Sequence, residues 1–326
     1  MKHIILGVLA TAAAVALSGA GHAKDLRMLS SWSPANKGTY IAETAFMKLV
    51  SDVSKGKLAI KRSGPEAVPP FEQVQPVAAG VFDILVTHGA YHAGTTGIGM
   101  ALDVVNSDPV KRRSSGIWDI ADKHYQKHGL KALAFAPLGK VGYQMILRDP
   151  IGPSGDIKGK KIRGTVTYHP LVKTLGGVPV VLPAGQVYSA LEKGVVDGAC
   201  FPTVGPLDLK WNEVAKYYVR PAFGVTTLIV AMNHNKFKAL NKDEQAVLLE
   251  AGKKLEEKVY ADFDALTAEE EAGMKAKGMK ETRFSKVNEA KIAKAFEEGV
   301  WGLVITKNKV EGQALRKYVE DKKMGL

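Results

Sequence analysis

The chain has 326 residues, of which 46% are hydrophobic and 24% charged, with 33 glycines and 15 prolines. That composition excludes a collagenous chain, a Pro/Gly-rich disordered chain and a polytopic membrane protein, and the length suits two domains with substantial cores. A formal net charge of +12 leaves three kinds of anionic partner to separate: nucleic acid, an anionic membrane surface and small anions.

In chain order, the first segment already discriminates among them. Met1-Lys2-His3 is a short basic start, residues 4–17 are almost wholly apolar, and Gly21-His22-Ala23 supplies the small-x-Ala pattern of a signal-peptidase site. This reads as a cleaved secretory signal over residues 1–23, because the apolar run is shorter than the roughly 20 residues of a membrane-spanning helix. Cleavage before Lys24 removes one lysine and no acid, which leaves a mature charge of +11. The expected compartment is the bacterial periplasm, which points away from DNA or RNA as a partner. Cys200 is the only cysteine, so no intramolecular disulfide forms and no cysteine follows the signal for lipid attachment. It reads as a small buried apolar residue.

From Leu26 onward, strand-like and helix-like segments alternate. Residues 26–29 read as a strand. Tyr40, Ile41, Ala45, Phe46, Leu49, Val50 and Val53 then recur at spacings of three and four, a helix stopped by Gly56. A strand at 58–61, a Pro-rich loop at 64–70, a helix at 71–79 closed by Gly80 and a strand at 82–87 follow. This βαβ rhythm predicts a mostly parallel sheet. A second set begins near Leu138, with strands at 142–147, 161–164 and 178–182, helices at 168–175 and 184–194, and a further strand at 228–233. Asn241 and Glu244 form an N-terminal capping box. After it, Val247, Leu248, Ala251, Leu255, Val259, Phe263 and Leu266 make one apolar stripe on a helix of some 30 residues, too long for one small domain and suited to bridging two. Glu269-Glu270-Glu271 read as its solvated face. No repeat, low-complexity linker or Pro/Ser hinge separates the domains, so crossing strands are expected to join them.

Catalytic signatures do not occur. There is no H-E-x-x-H, C-x-x-C, G-x-S-x-G or G-x-x-x-x-G-K-[ST], and Gly97-Ile98-Gly99 lacks the third glycine of a dinucleotide fingerprint. His88, His92 and His169 have no carboxylate at metal-ligand spacing, so no metal and no cofactor are assigned.

The informative stretch is 156–202. Ile162-Arg163-Gly164 places a guanidinium on a short strand beside a glycine, where backbone can approach a ligand; a planar guanidinium on a rigid strand suits a bidentate grip on a carboxylate. The same stretch carries Asp156, Lys158-Gly159, Lys161-Ile162-Arg163, Leu175-Gly176-Gly177, Pro179-Val180, Gln186-Val187-Tyr188, Ala190-Leu191 and Gly194-Val195-Val196-Asp197-Gly198. In these residues the chain resembles the solute-binding proteins of tripartite ATP-independent periplasmic (TRAP) transporters, the DctP-type family. Ser54-Lys55-Gly56-Lys57, Gly80-Val81-Phe82-Asp83 and Asp243-Glu244-Gln245 extend the resemblance over nearly the whole mature chain.

The resemblance implies an α/β, two-lobed periplasmic binding protein with a hinged cleft and a long bridging helix. It implies one lobe from residues 24–140 with 226–265 and the other from 141–225 with 266–326. It implies capture of an organic acid for delivery to membrane permease subunits, and no reaction. Residue by residue, Arg163 matches the arginine that pairs with the substrate carboxylate, while Ser31, Trp32, Thr87, His88, Tyr143 and Phe201 match cleft-lining positions; Tyr168 adds aromatic surface. Some relatives with polar substrates carry asparagine where this chain has Phe201, or a second arginine near Tyr143, and neither is present here. A monocarboxylate with a flat or apolar body, aromatic or a keto or hydroxy acid, is therefore expected, with a dicarboxylate or uronate still open. The rival in another class is a periplasmic hydrolase or lyase on the same scaffold, using His88, Tyr143 or His169. The rival within the class is a binding protein of an ATP-driven importer.

Overall fold

A computed structural model describes residues 23–326; the signal expected over residues 1–23 lies, but for Ala23, outside the described residues. The strands are β1 (Lys24–Ser30), β2 (Leu58–Ser63), β3 (Ile84–His88), β4 (Leu130–Pro137), β5 (Tyr143–Leu147), β6 (Lys161–Arg163), β7 (Val178–Val180), β8 (Gly198–Pro202), β9 (Tyr217–Arg220), β10 (Thr227–Asn233) and β11 (Lys280–Arg283). They form a five-stranded sheet in the order β2-β1-β3-β10-β4 and a six-stranded sheet in the order β11-β9-β5-β8-β6-β7. Two α/β layers thus arise from one chain, as the alternating pattern predicts.

The sheets are mixed, not mostly parallel. β1 runs parallel to β2 and β3, but β10 is antiparallel to both β3 and β4. In the second sheet β5 is antiparallel to both β8 and β9, while β6 runs parallel to β7 and β8. The physical reason is the double crossing. The chain leaves the first sheet after β4, enters the second as β5, and returns from β9 to β10, so each sheet receives an inserted strand of reversed direction.

The two crossings lie side by side. Gly142 N donates to Gly224 O at 2.9 Å, Tyr143 and Phe223 exchange both backbone bonds at 2.9 Å, and Leu138 N donates to Thr226 O at 2.9 Å. A side chain at Gly142 would collide with the backbone of Val225 and Thr226, so only glycine allows the two strands this approach.

Alternation along the strands splits the apolar residues between two faces. Leu85, Ile229, Ala231, Tyr143, Met145 and Leu147 belong to one core; Ile84, Val86, Leu228, Val230, Met232 and Ile146 belong to the other. Each core runs beneath both sheets. The first is covered by the helix Lys286–Lys307 through Phe296, Val300, Trp301 and Val304, the second by the long helix Lys242–Ala276 through Leu248, Ala251, Leu255, Val259 and Phe263. The last helix, Lys309–Asp321, lies against the helix Ile117–Lys127 beside the first sheet, and Val105 bridges Gly325.

The long helix begins at the expected box: Asn241 accepts from Glu244 N, and Glu244 accepts from Asn241 N. It does span both sheets. Beside the first, Glu256 accepts from Phe135 N, Trp118 Nε1 and Arg113 Nε. Beside the second, Thr267 bonds Thr203, Glu270 accepts from Leu207 N, and Glu271 pairs with Arg220. The expected solvated face is thus corrected: Glu269 is exposed, but Glu270 is buried and Glu271 half-buried because the chain after β8 and the end of β9 pack against that turn. No helix among the described residues is long and apolar enough to cross a membrane.

Candidate functional site

A cavity with about 440 Å³ of empty space, its mouth included, opens between the two sheets beside the crossings. Trp32, His88 and Tyr91 reach it from the ends of β1 and β3; Arg163, Thr165, Tyr168 and Phe201 reach it from β6, the turn after it and β8. These are the carboxyl ends of parallel strands, the place where open α/β sheets bind ligands. Tyr143, Thr226, Thr227 and Leu228 come from the crossings, and Asn36, Thr39 and Leu138 complete much of the wall.

Arg163 is 1% exposed. Its Nε and Nη2 donate to the Leu182 carbonyl at 2.9 and 2.6 Å, and Nη1 donates to the Cys200 carbonyl at 3.2 Å. Of the five N–H groups of a guanidinium, two are taken by no carbonyl or carboxylate, one on each terminal nitrogen, and the Tyr91 hydroxyl oxygen lies within their reach. No carboxylate among the described residues forms an ion pair with it, and it is the only Lys, Arg, Asp or Glu on the wall. Gly164, next in sequence, lets the Tyr168 ring lie where a side chain would stand 2.7 Å from it, which closes the site beside the guanidinium.

His88 and Tyr143 line the cavity with their rings, but their polar atoms are already engaged. His88 Nδ1 accepts from Ala90 N at 3.2 Å, which leaves the ring proton on Nε2, and Nε2 lies 2.9 Å from Asp103 Oδ2. The Tyr143 hydroxyl donates to the same carboxylate at 3.0 Å and sits 2.9 Å from His88 Nε2. Asp103 is fully buried, so this cluster ties β5 to β3 beneath the cavity. Tyr143 then packs edge-on to Tyr168, with ring centroids 4.9 Å apart, and against Phe223 and Phe296. Burial pushes the hydroxyls of Tyr143 and Tyr168 well up, so both are neutral.

Trp32 lines the cavity, and its carbonyl is held by Arg62, which the buried Glu43 holds in turn. Phe201 lies on the wall with Trp211 behind it, ring centroids 4.7 Å apart, and Arg163 stands 5.9 Å from the Phe201 ring centre. Six of the eight expected residues therefore meet: Trp32, His88, Tyr143, Arg163, Tyr168 and Phe201. Ser31 and Thr87 do not. Ser31 Oγ is 2.8 Å from both Gln73 Oε1 and Thr87 Oγ1, so the two hydroxyls face each other behind the wall and brace the loop that carries Trp32. His169, the other candidate base, opens the helix His169–Thr174 and is not on the wall, while Cys200 is fully buried with its thiol pushed up to about 12 by that burial. Among the described residues no group of His, Cys, Asp and Glu is placed to hold a metal ion.

Residues 29–302 match the family described as bacterial extracellular solute-binding protein, family 7 (DctP). The chain belongs to the DctP family. The TRAP-type resemblance carried by residues 156–198 is thereby borne out. Among similar curated proteins, the DctP-family chain is 29% identical over 278 residues to the monocarboxylate 2-oxoacid-binding periplasmic protein of a Nostoc species, covering 79% of this chain and 73% of that one. Among solved structures, a TRAP periplasmic solute-binding protein from Desulfovibrio salexigens with bound orotic acid superposes with a TM-score of 0.80 at 21% identity, over 91% of this chain and 98% of that one. DctP7 of Bordetella pertussis, a receptor binding pyroglutamic acid, gives 0.77 at 19% identity, over 91% and 100%. These structural likenesses establish the two-lobed fold.

Several wall residues of this DctP-family protein carry no sequence motif: Asn36, Thr39, Tyr91, Thr165 and the start of β10. Tyr91 could have been found from the general rule that ligands sit beyond the carboxyl ends of parallel strands, since it follows the end of β3 by three residues. The β10 residues could not, because only the return crossing brings them there.

Proposed function

We propose that this protein captures an organic monocarboxylate between its two sheets and delivers it, in the closed form, to the membrane subunits of a TRAP-type transporter from the periplasm. The observation that carries this reading is the buried, pinned and unpaired guanidinium of Arg163 at the wall of an otherwise aromatic and neutral cavity. Burying an ion unpaired costs several kcal/mol, and an anionic ligand that brings its charge to the two N–H groups not taken by carbonyls offsets that cost. With no second Lys or Arg on the wall, a dianion would bury one carboxylate without a counter-charge, which favours a monoanion. Tyr143, Tyr168, Phe201 and Trp32 suit a flat or apolar body, as in an aromatic, keto or hydroxy acid. The relatives named as 2-oxoacid-binding, or solved with orotic or pyroglutamic acid, support a small acid.

The lobes are the two sheets with their helices, residues 24–140 with 226–265 and 141–225 with 266–326, divided at the two crossings and within the long helix, which carries the chain back to β11 in the second sheet. A ligand that touches both binds the closed form more tightly and shifts the population toward it. No reaction is assigned, because the two wall groups that a hydrolase or lyase would need, His88 and Tyr143, are held by Asp103.

Calorimetric titration with pyruvate, 2-oxobutyrate, pyroglutamate, picolinate and orotate tests the reading. At least one acid binds, and Arg163→Ala weakens it by roughly 2–5 kcal/mol, about 30-fold or more, since one side of a buried charge pair is lost. An Arg163→Ala protein that binds as tightly as wild type refutes the carboxylate site.

A further inference from the structure

Tyr91 faces Arg163 from the opposite sheet. It lies on the turn Gly89–His92 that follows β3, is 6% exposed, and lines the same cavity. Its ring is fixed on two sides: Phe71 stacks on it with centroids 5.0 Å apart, and Trp32 meets it edge-on at 5.3 Å. The Trp32 indole Nε1 donates to the Tyr91 hydroxyl at 3.1 Å.

Donor arithmetic then decides what the hydroxyl can do. An indole N–H and a guanidinium are donors only, so neither Trp32 nor Arg163 can accept the hydroxyl hydrogen. The Tyr91 oxygen accepts from Trp32, and among the described residues no acceptor takes its hydrogen. Burial raises the pKa of Tyr91, and the nearby Arg163 guanidinium opposes that rise without cancelling it, so the proton stays on the oxygen. The Tyr91 oxygen is thus within reach of the Arg163 guanidinium, and the cavity collects two N–H groups that no carbonyl or carboxylate takes from one sheet and one O–H without an acceptor from the other.

We propose that Tyr91 is the first-sheet half of the carboxylate grip: its hydroxyl donates to the ligand carboxylate held by Arg163, so that the carboxylate itself latches the two lobes. The inference rests on the carboxylate reading above and names the residue that couples binding to closure. The alternatives are that the Tyr91 hydroxyl serves a neutral group elsewhere on the ligand, or that Tyr91 only supports Trp32.

Tyr91→Phe keeps the ring and its stacking and removes only the hydroxyl. Each acid of the five-member panel that binds is titrated against wild type, Tyr91→Phe and Arg163→Ala, together with its primary amide, and the unliganded Tm of each variant serves as the folding control. A hydrogen bond to a charged group predicts that Tyr91→Phe weakens the acid by about 10- to 100-fold and the amide by less than about threefold. Small-angle scattering is expected to show a larger radius of gyration for ligand-saturated Tyr91→Phe than for ligand-saturated wild type. If Tyr91→Phe binds the acid as wild type does while Arg163→Ala does not, the latch is refuted and the Arg163 site stands. Equal losses for acid and amide also refute the latch, since they place the hydroxyl against another part of the ligand or assign Tyr91 a supporting role. If no acid binds, or Arg163→Ala changes nothing, both readings fall.

Discussion

Removing the carboxylate of Asp103 is expected to cost far more than any surface acid, because it loosens the joint between the sheets. Asp103 is fully buried and accepts from the Tyr143 hydroxyl at 3.0 Å, from His88 Nε2 at 2.9 Å and from Thr227 N at 3.3 Å. Asp103→Asn keeps the shape but turns one oxygen into a donor, which must then face His88 N–H, the Tyr143 O–H or the Thr227 N–H. It also takes a negative charge away from the buried Arg112, whose own contacts are carbonyls and the Thr227 hydroxyl. Breaking a buried charged network of this kind costs about 3–5 kcal/mol, and the bond from Tyr143 alone, as a bond to a charged acceptor, is worth about 1.5–3 kcal/mol. Urea unfolding of Asp103→Asn, Tyr143→Phe and the double variant, followed by circular dichroism and tryptophan fluorescence, measures both quantities. The two losses are expected to overlap by about 1.5–3 kcal/mol, since after either change the bond to a charged acceptor is gone. Losses that add to within about 0.5 kcal/mol would show that Asp103 and Tyr143 do not hold one another.

Two further outcomes follow from the interior. His92 is buried with its Nε2 2.7 Å from the Tyr125 hydroxyl, and burial holds its pKa down to about 3 against 6.5 for a free histidine. The unfolded chain therefore takes up a proton below pH 6.5 that the folded chain refuses until about pH 3, so stability present above 6.5 is lost as the pH falls through that window. Between pH 6.5 and 4.5 this amounts to roughly 2–3 kcal/mol. The buried Glu43, Glu256 and Glu270, whose pKa values burial raises, act in the opposite direction, so the readout is the difference between wild type and His92→Gln; parallel pH profiles would contradict the assignment. The Cys200 thiol, fully buried and pushed up to about 12, is expected to react with an aromatic disulfide reagent at pH 8 about 10³-fold more slowly in the native protein than in urea. Labelling at the same rate in both would place the thiol at the surface.

Much of the site was legible before any coordinates. Arg163 stood out because its strand, its flanking glycine and the residues through Gly198 form one contiguous pattern; Trp32 and Tyr168 sit within a few residues of strand ends that periodicity already marked, and Phe201 was reached only as the neighbour of the motif at residues 194–198. His88 and Tyr143, expected to line the cleft, do line the cavity, but their polar atoms are turned away from it. Their polar atoms face Asp103, which no motif includes and which lies 15 residues from one and 40 from the other. Ser31 and Thr87 show the same limit on a smaller scale. Each lies at or just past the end of a strand aimed at the cleft, yet the two hydroxyls bond each other and Ser31 also bonds Gln73.

By itself, the sequence determined many of the strands and helices but not β4, β8, β9, β11 or the helices Ile117–Lys127, Lys286–Lys307 and Lys309–Asp321; it also determined where the long helix starts and which face of it is apolar, and which arginine stands at the end of a rigid strand. These properties are local, set by side-chain periodicity, capping residues and glycines within a few positions of one another. Only the tertiary structure decided that the inserted strands run antiparallel, that Glu270 and Glu271 turn inward, and that the Tyr91 hydroxyl is left with a free hydrogen opposite Arg163. Each of these depends on a partner at least 51 residues away in the chain, and 140 or more for β3 with β10, and no local pattern encodes such a meeting.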